Sequence, residues 1–313
     1  MKNANKKILT GEVMHVYQRA IHGFNVFYTQ NDYLVFYTIF SIFVKRFNIV
    51  VLSMCIMVDH FHALLICQSR SDLSKFVSAV TSLYARMFNR TVERKGQLFD
   101  KSFGCAPKIS DKKVRSVIPY VFNNPVERGI CSDPMDYRWN FLAYLSSDHP
   151  FSERLALCNA SKALKRSVSE VSACFTNGLW LNHNQISRLY RPLSPKEQAQ
   201  LTDYIVQTYF PFDKQKLLSY YKSLEMMNLS IVSTTGAEYD IKEDSERFSD
   251  KLYIDMERYM IDELSLYPKS VLAFPTDKKI EIANRIAAKT MARNRQIAKY
   301  LHLVLERRTC RDA

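Results

Sequence analysis

Two apolar runs separated by two residues set the frame for this chain. Residues 49–57 are apolar but for Ser53, and residues 60–67 resume the pattern after Val58-Asp59. Runs of this length, broken by so short a polar step, are the two strands of a buried hairpin. Neither is long enough to span a bilayer. The hairpin is therefore expected at the centre of a sheet. Its second strand opens on His60-Phe61-His62. Side chains alternate across a strand, so the two imidazoles share one face and Phe61 takes the other. Two imidazoles side by side on a rigid strand are half of a divalent-metal site.

The flanking pattern supplies partners for the hairpin. Residues 13–21 alternate as a first strand, with His15 and His22 near its ends. A lone histidine in such a strand is ordinarily a polar residue with a hydrogen bond. Residues 31–47 have helical spacing, with Asn31 or Asp32 as cap, and residues 71–90 have it again, capped by Ser71 or Asp72. Tyr84 lies midway along this second apolar stripe. A loop over 96–103 leads into a strand through 107–109. A helix over 111–122 follows, which Pro125 and Gly129 are expected to end. This order gives an α+β fold, an antiparallel sheet with helices on one face. After a linker at 146–150 the pattern is helical throughout, with a break at 191–197 where Ser194, Pro195 and Glu197 form a helix start. Three regions are expected: 1–147 around the sheet, 148–275 helical, and 276–313 a basic helical tail.

Charge narrows the partners. The chain carries 44 Lys and Arg against 31 Asp and Glu, a net +13. A polyanion, most simply nucleic acid, suits that balance. Residues 86–115 hold nine basic and three acidic side chains. Arg86, Arg90, Arg94, Lys95, Lys101 and Lys108 interleave with Phe99 and Phe103, the pattern of a groove that takes phosphates on cations and bases on rings. Residues 225–263 reverse the sign, eleven acidic against four basic, and residues 278–313 restore it, ten basic against three acidic. In that tail Arg293-Asn294-Arg295-Gln296-Ile297-Ala298 has the look of a helix-turn-helix front, with a third helix beginning over 304–308; a simple basic cap is the alternative. Seven scattered cysteines without a Cys-x-x-Cys pair indicate a reducing compartment. No secretory leader and no membrane span are read from the sequence, so a cytoplasmic protein is expected.

The order of five blocks carries a resemblance. These are Cys55-Ile56-Met57-Val58-Asp59-His60-Phe61-His62-Ala63-Leu64-Leu65, Leu83-Tyr84-Ala85-Arg86-Met87-Phe88-Asn89-Arg90, Gly96-Gln97-Leu98-Phe99-Asp100-Lys101-Ser102-Phe103, Tyr120-Val121-Phe122-Asn123-Asn124-Pro125-Val126-Glu127-Arg128-Gly129-Ile130 and Tyr137-Arg138-Trp139-Asn140. Over residues 11–145 the chain resembles the one-tyrosine HUH transposases of the IS200-like superfamily, most nearly the REP-associated tyrosine transposases. The resemblance implies a ferredoxin-like or RNA-recognition-like sheet. It implies His60 and His62 as metal ligands for magnesium or manganese, and Tyr84 as the nucleophile. It further implies cleavage of single-stranded, hairpin-forming DNA through a 5′-phosphotyrosine, leaving a free 3′ hydroxyl. Relatives take a third ligand from the tyrosine helix one turn on. Phe88 stands there and cannot ligate, so Asn89 is the nearest candidate. Lys101 replaces an arginine, and Glu127 enters a loop that is more basic in relatives. Arg86, Arg90, Arg94, Lys95, Lys101, Phe103, Lys108, Arg293 and Arg295 are the expected DNA contacts. A homodimer stays open. The other readings are a DNA-binding module of the same fold without chemistry, and a replication or conjugation nickase. The nickase order of tyrosine and histidines differs from the one here.

Overall fold

The structure is a computed structural model, and it describes residues 7–233 and 249–304. Four strands and their connections come first: β1 (Val13–Arg19), α1 (Gln30–Arg46), β2 (Val50–Ile56), β3 (His60–Ile66), α2 (Arg70–Thr91), β4 (Gly104–Lys108) and α3 (Asp111–Glu127). The strands form one antiparallel sheet in the order β2-β3-β1-β4. The hairpin is therefore not central as a unit. β3 is central, while β2 is an edge that a later segment covers, with Asp213 N–H donating to Val51 O at 2.8 Å.

The pleat divides the molecule. Phe61, Ala63 and Leu65 point into a large aromatic core with Met14 and Val16 of β1 and the apolar stripes of α1 and α2. Cys55, Leu64, Ile66 and Val13 point the other way, into a second core with Val114, Val117, Ile118 and Val121 of α3. Helices α1 and α2 thus share one face as expected, and α3 covers the opposite one. The helix starts sit one or two residues earlier than the sequence suggested. Thr29 caps α1 in a reciprocal box with Asp32, and Ser69 Oγ accepts from Asp72 N–H at the head of α2.

The α3 helix runs further than expected. It passes through Pro119 and Pro125 to Glu127 before Arg128 closes it. Each proline removes one N–H from the ladder; the carbonyl left without a donor by Pro119 is Arg115 O, and Tyr221 OH donates to it at 3.3 Å.

The second half is helical among the described residues: α4 (Lys162–Thr176), α5 (His183–Tyr190), α6 (Pro195–Thr208), α7 (Lys214–Leu218), α8 (Leu224–Ser233), α9 (Lys251–Asp262), α10 (Thr276–Lys289) and α11 (Asn294–Leu301). The Ser194–Glu197 capping box forms as read. These helices pack on the sheet region and share its core. Tyr37 OH donates to Val206 O, Asn123 Nδ2 to Ile231 O, and Tyr28 OH to Tyr300 O. A buried triad ties three regions together: Asp32 Oδ1 meets His183 Nε2 at 2.8 Å and Lys269 Nζ at 2.5 Å. The basic tail is docked, with α11 lying against residues 25–28. The expected third helix at 304–308 falls mostly outside the described residues. No helix among the described residues is long and apolar enough to cross a membrane.

Candidate active site

His60 and His62 occupy the face that α3 covers. Their rings stand 4.9 Å apart, edge to face, and both are buried. Each is held through Nδ1. His60 Nδ1 bonds to Asp59 Oδ1 at 2.5 Å, and His62 Nδ1 bonds to His15 Nε2 at 2.9 Å. Nε2 is then the atom by which either ring would hold a cation, an arrangement in which the outer partner fixes tautomer and orientation. His15, read as an ordinary strand histidine, is thus the positioning partner of His62.

Tyr84 is elsewhere. Its side chain is fully buried on the Phe61 face, with its ring 5.3 Å from Phe36 and 5.2 Å from Phe27. Its hydroxyl donates to Val26 O at 2.7 Å. Burial pushes the phenol well above its ordinary pKa, and the Asp32 charge adds to this. The sheet separates it from both histidines, so the expected pairing of Tyr84 with the metal site is corrected. Phe36 bridges the two residues that show this, touching Tyr84 on one side and Phe61, between the histidines, on the other. Asn89 is corrected as well. Its Nδ2 donates to Gly96 O at 2.8 Å and its Oδ1 accepts from Arg94, so it shapes the loop after α2 on the far side of the sheet.

The phenol that does meet the histidines is Tyr120 of α3. Its ring lies 5.5 Å from His62 and 5.6 Å from His15. One helical turn on stands Asn124, which i,i+4 spacing puts on the same stripe. Asn124 is 2% exposed, and its Oδ1 accepts no hydrogen bond from the described residues; the same holds for His60 Nε2. Buried acceptors are rarely left so. Two imidazoles and an amide oxygen make an N,N,O donor set that fits a divalent cation with open positions for water and substrate. Among the described residues no three His, Cys, Asp or Glu side chains gather in this way.

Tyr17 walls the site. It pairs with His62 across the strands, and its ring covers Gly104, where a Cβ would fall 2.0 Å from the ring. Only glycine leaves room for that ring. Cations gather at the His60 end. Arg19 pairs with His60 in the register, and Arg128 and Lys299 bear on Asp59. Lys299 comes from α11 and packs over Gly23, a glycine held at φ +66°. Burial works to raise the Asp59 pKa, but His60, Arg128 and Lys299 together hold it below the usual carboxylate range. Its neighbour Asp250 goes the other way, pushed up to about 7 by burial and by the Asp59 charge.

The expected DNA contacts divide. Arg86, Arg90, Lys95 and Lys101 are exposed, as are Arg293 and Arg295 at the head of α11. The loop bearing Lys95 and Lys101 reaches the His60 end of the sheet, where Phe99 bridges to Ala20. Arg94 is spent on that loop, donating to Asn89, Gly96 and Gln97. Phe103 and Lys108 are buried, at 8% and 2% exposure, and offer no surface for a base or a phosphate. Lys108 pairs with Val13 in the sheet, so its stem lies on the α3 face.

Residues 11–124 match the family model described as transposase IS200 like. That segment holds the whole sheet with His15, His60, His62, Tyr120 and Asn124. A solved structure described as a REP-associated tyrosine transposase bound to a REP hairpin is 13% identical, with 46% of this chain and 84% of that one covered and a TM-score of 0.40. No curated protein matches the sequence.

Proposed function

We propose that this chain, whose residues 11–124 match the IS200-like transposase model, cleaves and rejoins single-stranded, hairpin-forming DNA with Tyr120 as nucleophile. The observation that carries the proposal is the shared chamber of Tyr120, His62 and His15 on one face of the sheet.

His60 and His62 through Nε2, with Asn124 Oδ1, are the residues to hold a divalent cation. Bound there, the cation would polarise a phosphodiester and stabilise the charge that builds on its oxygens. The imidazoles favour manganese over magnesium. The remaining work falls to the chain. Arg128, Lys299 and Arg19 flank the His60 end and attract the phosphate. Lys95 and Lys101 extend that basic surface along the incoming strand, and Arg86 and Arg90 lie further along the same helix and loop. Tyr120 Oη attacks phosphorus while the bond to the 3′ oxygen breaks. The proton that the phenol loses balances the one that the 3′ oxygen gains. The phosphotyrosine conserves the bond energy, so no nucleotide triphosphate is consumed. Attack by a 3′ hydroxyl on the ester then reverses the step on another strand end.

The test is a denaturing gel of the protein with labelled single-stranded DNA carrying imperfect palindromes. A covalent protein–DNA band that forms with manganese or magnesium and is lost on chelation supports the reading. DNA binding that survives chelation, with no covalent band under either metal, overturns it in favour of a binding module of the same fold.

A further inference from the structure

Beside the His60 end of the sheet lies a cavity of about 180 Å³, walled by Val58 and by residues of the C-terminal helices. Two features of its lining point to a ligand. The first is a set of buried polar atoms without hydrogen bonds among the described residues: Asn25 Oδ1, Asp250 Oδ2 and Tyr300 OH. All three residues line this cavity, at 2%, 5% and 2% exposure. Two acceptors and a hydroxyl left bare in one chamber ask for a partner that brings donors. The second feature is flat aromatic surface. Trp139, Tyr253 and Tyr300 line the cavity, and Tyr253 lies nearly parallel to Tyr300 at 15°. Such walls take a planar ring.

An organic cation also suits rings and carboxylates. The surroundings argue against it. Glu257 adds a second carboxyl to the lining, but burial pushes both it and Asp250 up to about 7, and the cations Arg128 and Lys299, outside the lining, bear on both Asp59 and Asp250. A ligand with a planar, donor-bearing head and an anionic tail satisfies both halves, and that is a nucleotide. Among bases, thymine offers one ring N–H between two carbonyls. Guanine offers N1–H and the N2 amino group side by side, the match for a carboxylate.

We propose that this cavity holds one unpaired guanine of the DNA, with Asp250 and Asn25 accepting from its N1–H and N2 amino edge. Trp139, Tyr253 and Tyr300 wall its ring, and its phosphate lies toward Arg128 and Lys299. The C-terminal region thereby acquires a role in choosing the sequence next to the cleaved bond. The inference leans on the proposed strand transfer only for the polymer to which the base belongs; base binding is measured without cleavage, so the two readings fail separately.

The chain has two tryptophans, Trp139 and Trp180. In a Trp180→Phe background, Trp139 emission reports the cavity. Titration with 2′-deoxyguanosine 5′-monophosphate is expected to quench it saturably, at least about tenfold tighter than with the thymidine nucleotide. Asp250→Asn, which keeps size and polarity, is expected to weaken the guanine nucleotide about tenfold and leave the thymidine nucleotide unchanged. Tyr300→Phe, which removes only a hydroxyl, serves as the second variant, with a loss of a few fold. Equal affinity for the two nucleotides overturns the proposal, as does quenching by choline in their place. So does guanine binding that neither variant alters while both melt like the parent.

Discussion

Exchanging the two candidate tyrosines separates a nucleophile from a core residue, and the structure gives opposite expectations for them. Tyr84→Phe removes a hydroxyl that donates to Val26 O inside the aromatic core. The carbonyl is left buried without its donor, at a cost of about 1–3 kcal/mol. For a chain of this size that lowers the melting temperature by about 2–10 °C. The covalent adduct should form at close to the parent rate, because the sheet stands between this ring and His60 and His62. Tyr120→Phe removes the hydroxyl in the histidine chamber. Packing against His62 and His15 is kept, so the melting temperature should move little. Adduct formation should fall by several orders of magnitude; loss of an enzymic nucleophile elsewhere costs on the order of 10⁶ in rate. The assay is a time course of covalent adduct on a denaturing gel with manganese, followed by mass-spectrometric mapping of the phosphotyrosine. An adduct that persists in Tyr120→Phe refutes the reasoning, and so does its loss in a Tyr84→Phe protein that still melts cooperatively.

The other predictions concern what holds the site. Asp59→Asn removes the carboxylate that fixes His60 through Nδ1, and manganese affinity should drop about 10- to 100-fold by titration calorimetry while hairpin binding persists under chelation. Gly104→Ala drives a Cβ into the Tyr17 ring; the ring must leave the chamber wall, and a loss of about 1–3 kcal/mol in denaturant melts should accompany slower adduct formation. The contribution of His302 to the docking of α11 should weaken in mild acid. Burial holds His302 at a pKa of about 3, against its hydrogen bond to Asn25 O. The unfolded imidazole titrates near about 6.5. The undocked imidazole therefore binds more protons over that interval, and its contribution to docking is lost as pH falls from about 6.5, against the opposite contribution of Asp250 and Glu257, whose carboxyls burial pushes up to about 7. Amide protection factors of residues 294–301, normalised to the intrinsic exchange rate, should fall less between pH 7 and 5 in His302→Gln than in the parent.

Much of the sheet was legible because its signals are local. Continuous apolar runs gave β2 and β3, and alternation gave β1. The parity of His60 and His62 followed from the pleat alone. What one strand cannot state is which helix covers which of its faces. The clue lay in the residues between the histidines. Phe61, Ala63 and Leu65 form an all-apolar face, and the broad apolar stripes of α1 and α2 belong there. The two crossovers, β1-α1-β2 and β3-α2-β4, each join parallel strands, and their common handedness puts both helices on one face. Tyr84, inside the α2 stripe, then had to point away from the imidazoles. The true partner was hidden by a proline. Reading Pro125 as a stop ended α3 at residue 122, and Tyr120 and Asn124 no longer looked like neighbours on one helix. With α3 extended to Glu127, they stand one turn apart on the helix that covers the histidine face.

The remaining part of the site was invisible for a different reason: it is assembled from distant segments. Lys299 reaches Asp59 only because α11 docks on residues 25–28. Asp250 comes near the same carboxylate through its backbone bond to Arg128 O, at the end of α3. The net acidic stretch and the basic tail, which looked like separate regions of opposite sign, thus deliver one carboxylate and one ammonium to the edge of the same chamber. A basic surface alone would hold any phosphate and distinguish no base. A buried acceptor beside that surface adds a contact that depends on the base, and the cost of leaving it unmet is what would let the site reject a wrong one. On this reasoning the C-terminal half is more than a cap on the family domain. Asp250→Asn should leave the histidines, Tyr120 and Asn124 in place while removing the buried carboxylate from the aromatic cavity. Any cleavage that survives should then lose its preference for the base beside the cut.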